Sequence, residues 1–292
     1  MSKYLVIADI HQKHVRAQNL IESVPHDKCV LLGDYFDNFG DLTEEARNTA
    51  IWLRDSVLPN PKIIPLTGNH DLPYFYPACP YIRCSGFTGF KCLAVNEVLL
   101  PEHVAKFKVF HTEGNFLFSH AGFSNLLWKD VSLKHAKGEN ESKFDFVVRV
   151  LAECANEGVR EIAVGHDYWL FGAGWDRGGI QRHGGINWVD WTNFAPISGI
   201  NQLVGHTPHK IPEILIQRSG GGYTKRDVIK QENYPPVPPN EILSINYALD
   251  THLNHYAVIE DGKVNIFDYQ NRINVKDLKN YFIPENRMSP LC

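Results

Sequence analysis

The chain of 292 residues has no CxxC pair, no long apolar run and no excess of basic charge. Its six cysteines, Cys29, Cys79, Cys84, Cys92, Cys154 and Cys292, are scattered. Zinc modules usually set paired ligands about two to four residues apart, so Cys79, Cys84 and Cys92 could hold zinc only with a fourth ligand from elsewhere. No stretch approaches the roughly 20 apolar residues of a membrane span. The opening MSKYLVIADIH reaches charged residues too early for a secretory signal. These absences predict a cytoplasmic protein with reduced thiols and no membrane partner. With 29 Lys and Arg against 33 Asp and Glu, the net charge of −4 supplies no global field for nucleic acid. Nucleic acid would need a local basic groove. Internal repeats are also missing, and so is the bias of a disordered chain, since 43% of residues are hydrophobic and 21% charged.

What is present is a series of short apolar runs, each ending in polar residues. YLVIA precedes Asp9, CVLL precedes Gly33, KIIPL precedes Gly68, NFLFS precedes His120 and NQLVG precedes His206. Runs of this length bounded by turn residues suit buried strands. Helical spacing marks residues 43 to 57, with Asp41 and Glu44 resembling a capping box, and residues 143 to 158, closed by Gly158. A weaker helix runs from about His14 to Ser23. Strands alternating with helices predict an α/β sheet whose ligands gather beyond the strand ends. Residues 72–112 and 166–200, rich in aromatics, Gly and Pro, read as long loops, and 219–240 as an exposed excursion. HYAVIEDGKVNIFDY pairs two alternating runs across Asp261-Gly262, a hairpin signal. One domain is expected over 1–270, with a tail over 271–292.

The strand ends carry Asp9 and His11, Asp34 and Asp37, Asn69 and His70, His120, and His206. Mixed oxygen and nitrogen donors suit Mn, Fe or Zn better than Ca or Mg. In an extended stretch alternate side chains share a face, which would let Asp9 and His11 grip one cation while His14 points elsewhere. Singly, each element is commoner as a turn, a cap or a satisfied core histidine. Five such ends in succession are hard to obtain from unrelated turns.

The series DIH (9–11), GDYFD (33–37), GNHD (68–71), SHAG (119–122) and GHTP (205–208) resembles the signature of the calcineurin-like metallophosphoesterases. The later YALDTHLNHYAVIEDGKVNIF is similar to the closing strands of the protein-phosphatase and diadenosine tetraphosphatase branch, with His252 where that branch has Gly. The resemblance implies two mixed β-sheets packed as a sandwich, flanked by helices, with two divalent metal ions, Mn expected and Fe or Zn as alternatives. By motif, Asp9 and His11 would bind the first metal, Asp34 would bridge, and Asn69, His120 and His206 would bind the second. His70 would be the general acid, oriented by Asp37. Asp71 reads equally as a supporting group or a cap for the next turn.

The implied reaction is hydrolysis of a phosphomonoester, on phosphoserine or phosphothreonine or a nucleotide phosphate, by a metal-bridging hydroxide. The alternative is a phosphodiesterase or dinucleoside polyphosphate hydrolase acting on nucleotides or nucleic-acid ends. Pro208 argues against diesters, because diester-cleaving relatives often carry a His there. Asn38 replaces the phosphate-gripping Arg of the branch, and Arg177 and Arg182 in GWDRGGIQRHGG are the candidate replacements. His166 in VGHDYW reads as a loop or substrate contact. Trp169, Trp175, Trp188 and Trp191 could stack a nucleobase or pack as a lid.

Overall fold

The computed structural model describes residues 2–38, 40–227 and 237–270. The chain forms β1 (Tyr4–Ile7), β2 (Lys28–Leu31), β3 (Ile63–Pro65), β4 (Phe110–Glu113), β5 (Phe116–Ser119) and β6 (Asn201–Val204), and then β7 (Glu213–Arg218), β8 (Tyr223–Asp227), β9 (Ile242–Ala248), β10 (His255–Glu260) and β11 (Lys263–Asp268). These make two mixed sheets, ordered β11-β10-β1-β2-β3 and β4-β5-β6-β9-β7-β8. All five expected strand runs are strands. The predicted hairpin is β10–β11, closed by Glu260 opposite Lys263.

Side-chain alternation explains the layering. Tyr4, Val6, Val30 and Ile64 pack against Phe116, Phe118, Leu203 and Ile214 between the sheets. The opposite set, Leu5, Ile7, Leu31 and Ile63, packs under helices α1 (His14–Ser23) and α2 (Thr43–Trp52). On the far side, Leu117, Val204 and Leu215 meet the long helices described below. The result is the sandwich flanked by helices that the motifs implied.

Several expectations change in detail. Beyond α2 the chain continues as a π-helical turn to Val57, so the predicted span holds. Its cap does not: Glu45, not Glu44, accepts from the Leu42 backbone N–H at 2.7 Å, and Asp41 is drawn to Lys91 and Gln12 instead. Residues 72–112 are not one loop. They hold α3 (Leu72–Phe75), α4 (Gly89–Asn96), α5 (Pro101–Val104) and β4. Thr88 caps α4 by accepting from Lys91 N–H, and Pro101 opens α5. Helices this short have no periodic stretch to read. After α6 (Asn125–Ser132), α7 runs from Lys143 to Ala163, through Gly158 rather than ending there. A Cβ at Gly158 would lie 2.5 Å from the Tyr168 ring, so packing explains that glycine. Residues 166–200 are largely irregular, with short 3₁₀ turns. The excursion at 219–240 contains β8, paired antiparallel to β7, while 228–236 and the proposed tail 271–292 lie outside the described residues. Among the described residues, no helix is long and apolar enough to cross a membrane.

Candidate metal centre

The polar residues that follow β1, β2, β3, β5 and β6 converge between the sheets. Asp9, Asp34, Asn69, His120 and His206 are all buried. The expected shared face of Asp9 and His11 is not a strand face, since β1 ends at Ile7 and both residues are left-handed, with φ of 49° and 40°. Asp34 (54°), Asp37 (61°) and His206 (68°) are left-handed too. Asp and His tolerate this region better than most residues, and its cost clusters at functional sites. The turns rather than the pleat bring Asp9, His11 and Asp34 within reach of one point. A second group, Asp34, His120 and His206, shares Asp34.

Backbone carbonyls orient the imidazoles. His11 Nδ1 donates to Phe36 O and His120 Nδ1 to Leu32 O, each at 2.9 Å. This turns His11 Nε2 to 3.6 Å and His120 Nε2 to 3.3 Å from Asp34 Oδ2. Asn69 Oδ1 lies 2.9 Å from both His120 Nε2 and His206 Nδ1. Asp9 Oδ2 and His206 Nε2 are buried without a hydrogen-bond partner. An unsatisfied buried polar group costs about 1–3 kcal/mol. Cations at the two groups would satisfy these atoms, one in each group, and the donor set fits two divalent ions sharing Asp34. The backbone admits this only without a side chain at position 68, where a Cβ would sit 2.1 Å from Asp34 Oδ1.

The electrostatics agree. Burial and the Asp250 carboxylate push Asp9 well above the usual carboxylate range. Burial would raise Asp34 also, but His120 and His70 outweigh it and hold it low. Burial and His120 hold His206 neutral. Crowding of carboxylates with a neutral imidazole is the pattern a cation relieves. Asp71 supports the centre rather than capping α3. Its carboxylate accepts from the backbone N–H groups of Asp34, Tyr35 and Gly68 at 2.8, 2.7 and 2.7 Å. Burial and Asp34 push its pKa up to about 7.

At the rim, His70 Nδ1 lies 3.1 Å from Asp37 Oδ2. Burial lowers the His70 pKa, but Asp34 and the Asp37 contact outweigh it and raise it to about 12. Sequence reasoning missed Lys91 and Tyr74, and read Cys84 only as a zinc candidate with Cys79 and Cys92. Lys91 Nζ donates to Asp37 Oδ1 at 3.0 Å, Tyr74 OH donates to the same oxygen, and Cys84 Sγ lies 3.4 Å from His70 Nδ1. None belongs to a motif. Cys79 and Cys92 lie apart from Cys84, in contact with His166 O and Asn96, and all five described cysteines are free thiols.

The remaining candidates divide. Arg177 pairs with Asp190 at 2.7 Å and lines a small cavity with Trp188, whose ring meets that of His206 edge-on at 5.6 Å. Arg182 is exposed on the same loop and forms no ion pair among the described residues. His166 is exposed beyond α7 and pairs with Glu161. Of the four candidate tryptophans, Trp191 is core, stacked on Phe194, Trp169 packs against that core and Trp175 is exposed, which leaves Trp188, beside His206. At the corner before β10, His252 is left-handed (φ 56°), which explains why Gly suits that position. Asp250 there accepts from His252 N–H at 3.1 Å.

The family model of calcineurin-like phosphoesterases matches residues 2–210. The chain belongs to this family. As a calcineurin-like phosphoesterase it is a metal-dependent phosphoric ester hydrolase, and its substrates are phosphorylated compounds. Among solved structures, it is similar to the cold-active protein-tyrosine phosphatase of a psychrophilic Shewanella species, with TM-score 0.54 and 12% identity over 94% of this chain and 81% of that one. A metallophosphoesterase from Sphaerobacter thermophilus matches with TM-score 0.39 and 15% identity over 90% and 87% of the two chains. A protein serine/threonine phosphatase from Saccharomyces cerevisiae matches with TM-score 0.39 and 12% identity over 91% and 79%. At 12% identity the likeness to the first of these is one of fold alone. No curated protein sequence matches the chain significantly.

Proposed function

We propose that this phosphoesterase hydrolyses phosphomonoesters, of phosphoproteins or nucleotides, at a dinuclear site held by Asp9, His11, Asp34, Asn69, His120 and His206. The observation that carries this reading is the pair of orphaned buried atoms, Asp9 Oδ2 and His206 Nε2, whose residues belong to the two ligand groups that share Asp34. Bound divalent cations would neutralise the phosphoryl oxygens and make a water acidic enough to attack near neutral pH. Manganese is the ion favoured by the mixed Asp, Asn and His donors, with Fe or Zn as alternatives.

The protein's own residues perform the rest. The Asp34 carboxylate, common to both ligand groups, would offset the charge of the ions held there. The Phe36 and Leu32 carbonyls fix the tautomers of His11 and His120 so that Nε2 faces inward in each. His70, oriented by Asp37, delivers a proton to the departing alkoxide. Arg177 takes the phosphate-gripping role vacated at Asn38, and its partner Asp190 holds the guanidinium beside Trp188 and His206. Arg182 lies too exposed for more than a peripheral contact with substrate.

The test is a substrate panel with the metal-loaded protein: p-nitrophenyl phosphate, its bis-ester, phosphopeptides, nucleotides and dinucleoside polyphosphates. Faster turnover of monoesters supports the proposal. Trp188 beside His206 supports a nucleobase-containing substrate, and preference for the bis-ester or a dinucleotide would establish the alternative.

A further inference from the structure

Lys91 lies behind the His70–Asp37 pair, where an isolated cation would not survive burial. Its side chain is only 6% exposed, and those of Asp37 and Asp41 are 2% and 5% exposed. The ammonium has three donors and three acceptors: Asp37 Oδ1 at 3.0 Å, Asp41 Oδ1 at 2.7 Å and Gly86 O at 2.8 Å. Its geometry is therefore complete, and no donor remains for a substrate. Tyr74, fully buried, spends its hydroxyl on the same Asp37 oxygen. Asp37 Oδ1 thus takes both donors, and Oδ2 is left to His70 at 3.1 Å.

The local chain is shaped around this arrangement. Gly86 is left-handed (φ 91°), and a Cβ there would meet Asp37 Cβ at 2.7 Å, so the backbone carrying the third acceptor passes directly against Asp37. Thr88 caps α4 at Lys91 N–H and starts the helix that aims Lys91 inward. The Asp41 carboxylate is held in turn by Gln12, next to the His11 turn. A carboxylate between two buried donors has one orientation, and a hydrogen-bonded carboxylate fixes the imidazole it faces.

We propose that Lys91, together with Tyr74, is a positioning residue for His70: by fixing Asp37 Oδ1 the pair holds Oδ2, and through it the imidazole, in line with the departing oxygen. Neither side chain touches substrate. The inference rests on the reading of His70 as proton donor, and its signature is leaving-group dependence. An alkyl phosphate needs the proton, whereas p-nitrophenolate departs largely without it.

The experiment compares the metal-loaded full chain with Lys91→Met, Tyr74→Phe and His70→Ala on both esters. Lys91→Met is expected to lose ~10- to 100-fold in kcat on an alkyl phosphate, the range for an outer-shell partner, and under about 3-fold on p-nitrophenyl phosphate. Tyr74→Phe, a milder change that decides alone if Lys91→Met fails to fold, is expected to show a smaller loss, still confined to the alkyl ester, because Lys91 continues to hold Asp37 Oδ1. Neither change adds a loss in the His70→Ala background. Equal losses on both esters, or losses that add to that of His70→Ala, would overturn the inference while leaving His70 in place. If His70→Ala itself left the leaving-group dependence unchanged, both readings would fall together.

Discussion

Asp71 and Asp34 stand 37 positions apart in the chain, yet Asp71 Oδ2 accepts from the Asp34 backbone N–H at 2.8 Å. The same oxygen accepts from Gly68, so one carboxylate joins the loop after β2 to the loop after β3. Those loops carry the candidate bridging ligand and Asn69.

Asp71→Asn puts an amide donor against at least one backbone donor. The expected result is a loss of about 1–3 kcal/mol in stability, by denaturant titration, from the unsatisfied groups. Metal affinity should fall ~10- to 100-fold as Asp34 loses its support. Unchanged metal affinity in a destabilised protein would confine Asp71 to the fold.

Gly68→Ala drives a methyl into Asp34, where a Cβ has only 2.1 Å to the carboxylate oxygen. A displacement on this scale costs on the order of 100-fold in turnover. Metal analysis of the purified variant should show less than the wild-type content. Full metal content with normal kcat would mean that Asp34 does not serve the centre.

His111, on β4, stacks on Phe118 with its Nε2 buried and unpartnered. Burial, with Lys108 and Lys28 nearby, lowers its pKa to about 4. In the unfolded chain it titrates near ~6.5, so below that pH the unfolded state takes the proton first. Its contribution to stability is complete above about 6.5 and lost as pH falls towards about 4. His111→Phe should therefore lose less Tm than the wild type between neutral and mildly acidic pH. Parallel losses would contradict the assignment.

Arg177→Met removes the cation proposed to grip the phosphate. A hydrogen bond to a charged group contributes about 1.5–3 kcal/mol, so kcat/KM for a phosphomonoester should fall roughly 10- to 150-fold. Arg182→Met should change it little. Reversed effects would reassign the role along the loop.

Much of this site was legible because each candidate ligand ends a buried apolar run, and such runs are visible as composition. The hairpin was legible because Asp261-Gly262 supplies the turn chemistry. Other features depend on contacts remote in sequence. Lys91 meets Asp37 across 54 residues, from a helix of eight residues without a clear period. Asp41 looked like a capping residue because Glu44 follows it at the right spacing, but the buried Lys91 ammonium is a stronger partner than a backbone N–H. Gly158 resembled a helix end, since the ring that excludes a side chain there comes from Tyr168, beyond α7. Asp9 and His11 come together for a reason other than the one expected: two left-handed residues, not a strand face, bring them beside Asp34.

The most direct test of the central claim is anomalous diffraction from crystals of the metal-loaded protein, recorded at the metal's absorption edge. The account predicts two peaks about 3.5–4 Å apart, bounded by Asp9 and His11 on one side, Asn69, His120 and His206 on the other, and Asp34 between them. No peak there, or a peak only at the neighbouring Asp37, His70 and Cys84 group, would contradict it.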